Sequence, residues 1–150
     1  MFRGVSNLNL DTKGRLAIPA KYREDLLSAC EGRLIITVDR DPCLLIYPLP
    51  EWEELERKLI RLPSFDPRTR ALQRLLVGHA TEVEFDAQGR VLIPPPLRGF
   101  ASLDKKAVLI GQGHRFELWG EEAWNAGCGE WLAQQEDGVA LPDALATLSI

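Results

Sequence analysis

The chain has 150 residues, 45% of them hydrophobic and 27% charged, with a formal net charge of −4; this is an ordinary globular composition, sized for one domain or two small intertwined halves. No stretch approaches the roughly 20 consecutive apolar residues that span a bilayer, and the start, MFRGVSNLNLD, lacks the apolar core of a signal peptide, so cytoplasmic residence without a membrane partner is the expectation. Cys30, Cys43 and Cys128 are widely spaced with no C-x-x-C pair, and the histidines are only His79 and His114; that is not the ligand grouping of structural zinc, so neither a metal nor a cofactor is expected.

In chain order, the first element is a half-buried strand, with Leu8 and Leu10 alternating with Asn7 and Asn9. DTKG at 11–14 follows, then a second period-2 run with Leu16 and Ile18, ended by Pro19. The pattern reads as a hairpin. Asp11 takes position i of a type I turn, where its carboxylate can accept from backbone N–H groups two residues on. Gly14 supplies the positive φ of a following bulge. Arg15 leads the return strand on the face opposite Leu16, pointing away from the core, and Lys13 sits at the tip.

AKYREDLLSAC then reads as a short helix with Tyr22, Leu26 and Leu27 inward, followed by the strand pair RLIITVDR and CLLIYP. EWEELERKLIRL carries Trp52, Leu55, Leu59 and Leu62 along one stripe and reads as a closing helix. PRTRALQRLLVG reads as a linking helix.

From residue 79 the order repeats. Val83 and Phe85 alternate with Glu82 and Glu84, DAQG occupies 86–89, Arg90 leads the return strand, and Val91 and Ile93 follow. DTKGRLAIP and DAQGRVLIP share Asp, Gly, Arg, Ile and Pro at an offset of 75. Gln88 stands where the first turn has Lys13. PPLRGFASL is a shorter, proline-interrupted helix, AVLIGQG and RFELWG a second strand pair, and EEAWNAGCGEWLAQQ a second closing helix with Trp124, Cys128, Trp131 and Leu132 on its stripe. At an offset of 72, Tyr47 matches Trp119 and Trp52 matches Trp124. Each half is too small to bury a core alone, so two similar ββ-helix-ββ units are expected to pack about an approximate two-fold axis, with both turns emerging on one face.

Charge is unevenly spread. All 18 Lys and Arg precede residue 117, leaving +3 over residues 1–116, while 117–150 hold seven acidic residues and no basic one. Arg3, Lys13, Arg15, Lys21 and Arg23 outnumber the acids of the first 25 residues. This describes a modestly basic N-terminal surface and an acidic tail, which is expected to lie away from that surface.

MFRGVSNLNLDTKGRLAIPAKYR and GHATEVEFDAQGRVLIPPPLR resemble the two repeats of the MraZ family of bacterial transcriptional regulators, over residues 1 to about 135. The resemblance implies an α+β fold: two tandem AbrB-like repeats forming a pseudo-two-fold swapped-hairpin (double-split) β-barrel with flanking helices. It divides the chain into a first repeat over 1–62 (core hairpin 5–19, closing helix 51–62), a linking helix over 63–77, a second repeat over 78–135 (core hairpin 79–94) and a partly ordered tail over 136–150. It implies binding of double-stranded DNA at short direct repeats in the promoter of the division and cell wall gene cluster, including the protein's own operon. It also implies a homo-oligomeric ring and a cytoplasmic, nucleoid-associated protein.

The DNA-binding residues expected are Arg3, Lys13, Gly14, Arg15, Gln88, Gly89 and Arg90, with Asp11 and Asp86 shaping the loops. A turn does not itself need an outward arginine after it, and Arg presents a planar fork of donors suited to phosphate or to the O6/N7 edge of guanine. A carboxylate facing phosphate would be repelled, so each Asp is assigned to the turn. Catalytic signatures are missing: there is no G-x-x-x-x-G-K-[ST], G-x-S-x-G or H-E-x-x-H. An enzyme and a small-molecule substrate are therefore not expected. Two alternatives stand beside the regulator: an AbrB-like antitoxin or adaptor module, and an assembly protein of the division machinery that does not bind DNA.

Overall fold

A computed structural model of the protein describes residues 1–136, 145, 147 and 148. The elements run β1 (Phe2–Asn9), β2 (Arg15–Ala17), α1 (Ala20–Cys30), β3 (Arg33–Asp39), β4 (Cys43–Pro48), α2 (Leu49–Ile60), α3 (Pro67–Leu76), β5 (Thr81–Glu84), β6 (Arg90–Leu92), α4 (Pro95–Phe100), β7 (Lys106–Gly113), β8 (Phe116–Gly120) and α5 (Glu121–Glu136). The class is α+β, and every strand pairing is antiparallel. Helix starts are set by residues that cannot continue a strand ladder: Pro19, Pro48 and Pro94 occupy the N-caps of α1, α2 and α4. Asp66 caps α3 by accepting from the Arg68 N–H at 2.9 Å. Among the described residues, no helix is long and apolar enough to cross a membrane.

The strands form a six-stranded sheet of order β1-β7-β8-β4-β3-β5 and a two-stranded ribbon of β2 and β6. The halves exchange strands: β1 pairs with β7 of the second half, and β5 with β3 of the first. In the ribbon Leu16 lies opposite Val91, and at the sheet centre Leu45 lies opposite Glu117. Each of these residues faces its own counterpart, at offsets of 75 and 72, so an approximate two-fold axis passes through both pairs.

One expectation is corrected by these ladders. The strands flanking each turn do not form a hairpin with each other. Each turn closes only locally, with Asp11 N–H donating to Arg15 O and Gly14 N–H to Asp11 O, both at 3.0 Å. Beyond that, β1 and β2 part to pair with strands of the other half. Both flanking strands need a neighbour and an apolar face, and the repeat of the sequence supplies a matching partner for each in the opposite half.

The core has two parts. Leu16, Ile18, Val91 and Ile93, all at most 1% exposed, turn inward from the ribbon to meet Tyr22, Leu26, Leu34, Ile36, Leu109 and Phe116. Burying such a side chain is worth about 1.5–3 kcal/mol, which is ample to set the facing of a three-residue strand. The opposite face of the sheet holds Ile35, Tyr47, Val108 and Trp119 beneath α2, α3 and α5, with Trp52 packed onto them from α2. Four residues expected inward are exposed: Leu27 is 53%, Leu62 40%, Trp131 38% and Leu132 70% exposed. Leu27, Leu62 and Leu132 sit at the edge or end of their helical stripes, beyond the reach of the sheet, while Trp131 keeps one side against Trp119, with ring centroids 5.4 Å apart. Most of the expected tail over 136–150 lies outside the described residues.

Candidate nucleic-acid interface

The ribbon has one inner and one outer face because side chains alternate along a strand. Leu16 and Val91 point inward. Arg15 lies opposite Leu92 and Ala17 opposite Arg90, so these four share the outer face. The two arginines are diagonal neighbours, with Cβ atoms about 7–8 Å apart by strand geometry. Between them lie exposed Ala17 and Leu92, the latter 49% exposed.

Each arginine is held by its turn. The Asp11 carboxylate accepts from the backbone N–H groups of Lys13 and Arg15 at 2.9 Å and from Arg15 Nε at 2.7 Å. Asp86 does the same for Gln88, Arg90 and Arg90 Nε, at 2.9, 2.9 and 3.1 Å. The glycines take the positive φ that the sequence demanded, +80° at Gly14 and +75° at Gly89. Among the described residues, the ion pairs engage only Nε and leave the terminal nitrogens of Arg15 unbonded. Those of Arg90 touch only Gln88 Oε1, at 3.4 Å. The side chains of Arg15 and Arg90 are about one third exposed, at 30% and 34%. A planar donor edge therefore faces outward from a fixed position twice per chain.

The carboxylates are tuned for this role. The backbone N–H of Arg15, with the Arg15 guanidinium and the Lys13 N–H behind it, holds the Asp11 carboxyl below its ordinary value of 3.8. The N–H groups of Arg90 and Gln88 do so for Asp86. A lowered folded value means that folding favours the ionised form. Its contribution is complete above the ordinary value and is lost only as the pH falls through the lowered one. The turns are therefore expected to keep their geometry from pH 8 to about 5 and to loosen only below about 4. A carboxyl-carbon NMR titration checks this; midpoints at or above the ordinary value for Asp11 and Asp86 would overturn it.

The structure adds two arginines that the sequence reading did not assign to the site. Arg23 of α1 and Arg98 of α4 are themselves 75 residues apart, and each lies against the turn of the opposite half. A Cβ on Gly89 would sit 2.6 Å from Arg23 Cζ, and one on Gly14 2.8 Å from Arg98 Nε. The glycines are needed for φ, and a side chain at either position would also displace the arginine beside it. Arg23 Nε donates to Ile18 O at 2.6 Å, whereas Arg98 Nε is buried with no partner among the described residues. The signal in the sequence was the matched pair YR and LR after each I-P, whose meaning depends on the strand exchange. The turns are also tied across the ribbon, with Ile18 N–H donating to Gly89 O at 2.8 Å and Ile93 N–H to Gly14 O at 3.0 Å.

The expected residues are not all brought together. Lys13, Gly14, Arg15, Gln88, Gly89 and Arg90 gather around the ribbon, and exposed Lys105 and Lys106 lie near the first turn, where Leu10 N–H bonds Lys105 O at 2.8 Å. Arg3 is exposed but stands at the opposite end of β1, paired with Gln112. At about 3.3 Å per residue, that is roughly 25 Å from Asp11. Arg3 is outside this patch.

A family model described as "MraZ protein, putative antitoxin-like" matches residues 1–75 and again 76–137. A protein of Thioalkalivibrio sulfidiphilus named "Transcriptional regulator MraZ" is 61% identical over 97% of this chain and 96% of its own. Proteins of the same name from Alkalilimnicola ehrlichii and Pseudomonas aeruginosa are 55% and 54% identical, over 100% and 99% of both chains. These relatives are named regulators and not enzymes, in agreement with the sequence expectation.

Proposed function

The chain belongs to the MraZ family, and from that premise we propose that it regulates transcription by binding double-stranded DNA with the outer face of the β2–β6 ribbon. The observation that carries this reading is the placement of Arg15 and Arg90 on one outer face, each fixed by its own Asp and turn glycine. A two-stranded ribbon is among the elements that the major groove admits. There the two guanidinium edges suit guanine O6/N7 or phosphate, and Leu92 and Ala17 suit a thymine methyl. Lys13, Gln88 and the backbone of Gly14 and Gly89 add contacts at the rims, the first turn being the more charged. Arg23 and Arg98 brace the turns from behind. Arg3 contributes at most a separate phosphate contact.

The exchange of β1 and β5 between halves supports reading the fold as the swapped-hairpin barrel of AbrB-like proteins. The operator is a set of short direct repeats in the promoter of the division and cell wall gene cluster, the protein's own operon included. One subunit with a few phosphate contacts binds weakly, since each contributes only about −0.9 to the slope of log K against log salt. A homo-oligomeric ring presenting several ribbons to matching repeats gains by effective concentration, by about 100-fold or more. The protein then acts in the cytoplasm, at the nucleoid.

Fluorescence anisotropy on a duplex with tandem short G-rich repeats, against a scrambled duplex over a salt series, tests the reading. Repeat-selective binding with a clear salt slope is expected. Binding of neither duplex would leave the division-assembly reading. DNA binding that needs a second protein would favour the antitoxin or adaptor module instead.

A further inference from the structure

On the face of the sheet turned away from the β2–β6 ribbon, Asp39, Cys43 and Glu117 bring a thiol and two carboxylates within 4.8 Å of one another. Asp39 and Cys43 are paired at the end of the β3–β4 ladder, and Glu117 lies on β8 across from Leu45. Glu117 is only 7% exposed and Cys43 is fully buried. Two features make this more than an acidic patch. Cys43 is a free thiol with no hydrogen bond among the described residues, and its sulfur lies within 4.8 Å of both carboxylates. Glu117 stands where the repeat places a leucine: its counterpart across the two-fold axis is Leu45, and that of Cys43 is Arg115. An acid here costs burial that a second leucine would avoid.

We propose that Asp39, Cys43 and Glu117 form a divalent-metal site of zinc type, one per chain. The donor set, one thiolate and two carboxylates, is borderline-soft and suits Zn²⁺ with water as a fourth ligand. Tetrahedral zinc asks for about 3.4–3.6 Å between ligand atoms, so the cluster closes by about an ångström. Half-exposed Asp39, at the strand end, is placed to make that movement. On binding, Cys43 releases its proton to solvent and its sulfur takes the metal.

The electrostatics of the metal-free cluster favour the protonated ligands, a cost that a bound cation must overcome. Burial, with Glu117, Asp39 and Asp41 nearby, pushes the Cys43 thiol far above its usual range. Burial also raises Glu117, against the Trp119 Nε1–H that donates to it at 2.9 Å. A bound cation reverses both effects. The Arg115 guanidinium acts on both groups, and its nearest nitrogen is 3.9 Å from Glu117 Oε2, while its firm bond is to the Tyr47 hydroxyl at 3.0 Å. Glu117 therefore keeps an oxygen for metal. Asp39 and Cys43 come from the first half and Glu117 from the second, so the metal would staple the β4·β8 seam, a ladder of three residue pairs.

The test uses the full chain stripped of metal and titrated with Co²⁺ alone, then Zn²⁺ alone. Expected are a sulfur-to-cobalt charge-transfer band saturating at one equivalent, its loss on adding Zn²⁺, and a Tm rise of about 5–11 °C at hundredfold excess of Zn²⁺ over Kd. Cys43→Ser should abolish the band, and the Cys30→Ser and Cys128→Ser variants should keep it. Glu117→Gln, whose amide oxygen still accepts from Trp119, should remain folded yet bind Co²⁺ roughly 10-fold or more weakly. No band in wild type, or a band that survives Cys43→Ser, overturns the proposal. Glu117 would then be held by Trp119 and Arg115 alone.

Discussion

Replacing Arg15 and Arg90 together with alanine is expected to abolish repeat-selective DNA binding while leaving fold and assembly intact. A bidentate arginine–guanine contact is worth about 1–3 kcal/mol of discrimination. Two per subunit therefore amount to roughly 30-fold to 10⁴-fold in selective affinity before the ring multiplies the loss. The fold should not notice, because both side chains lie on the outer face of the ribbon and substitutions there usually fall within about 0.5 kcal/mol. Each Asp would still hold two backbone N–H groups of its turn. The salt series separates two roles. If the arginines read bases, selectivity falls and the slope of log K against log salt is unchanged. If they bind phosphate, affinity falls on every sequence and the slope drops by about 0.9 per lost contact. Anisotropy on repeat and scrambled duplexes, with melting curves run in parallel, decides the matter. Unchanged binding in the double variant would remove the ribbon from the interface.

Much of this site was legible in the sequence, and the part that was not has a single cause. The turns could be read because their chemistry is local: Asp11 and Asp86 bond residues two and four positions on, and Gly14 and Gly89 meet a φ requirement of their own turns. The facing of Leu16, Ile18, Val91 and Ile93 could be read because alternation is local too. What could not be read is which strand pairs with which. A period-2 run on either side of a turn looks the same whether it closes on itself or is exchanged with a second copy. The hairpin expectation failed for that reason. For the same reason Arg23 and Arg98 went unassigned: each supports a turn about 65 or 85 residues away in the chain, reached only through the exchange. The Asp39–Cys43–Glu117 cluster was equally hidden, since a buried acid on the two-fold axis looks in sequence like one more polar residue of a strand.

The second large effect should be unequal between the two turn glycines. Alanine at either position must adopt the left-handed backbone, at about 1–2 kcal/mol, and the two φ values differ too little to separate them. The new Cβ also evicts an arginine, Arg98 for Gly14→Ala and Arg23 for Gly89→Ala. Both are flexible side chains that can swing away, so the clash costs little in itself. What they leave behind differs. Arg23 gives up its 2.6 Å bond to Ile18 O, and a hydrogen bond to a charged group is worth about 1.5–3 kcal/mol. Arg98 gives up no bond at all, and its buried Nε reaches solvent, which offsets part of the backbone strain. Gly89→Ala should therefore destabilise the fold by about 3–5 kcal/mol and Gly14→Ala by about 1–2 kcal/mol. The arginine variants isolate the cause: Arg23→Ala should be clearly destabilising and Arg98→Ala close to neutral, with DNA affinity reduced in both because each turn loses its brace. Urea melts of the four variants provide the comparison. Equal losses at the two glycines, or a greater loss at Gly14, would mean that backbone strain alone governs these positions and that the opposing arginines do not brace the turns.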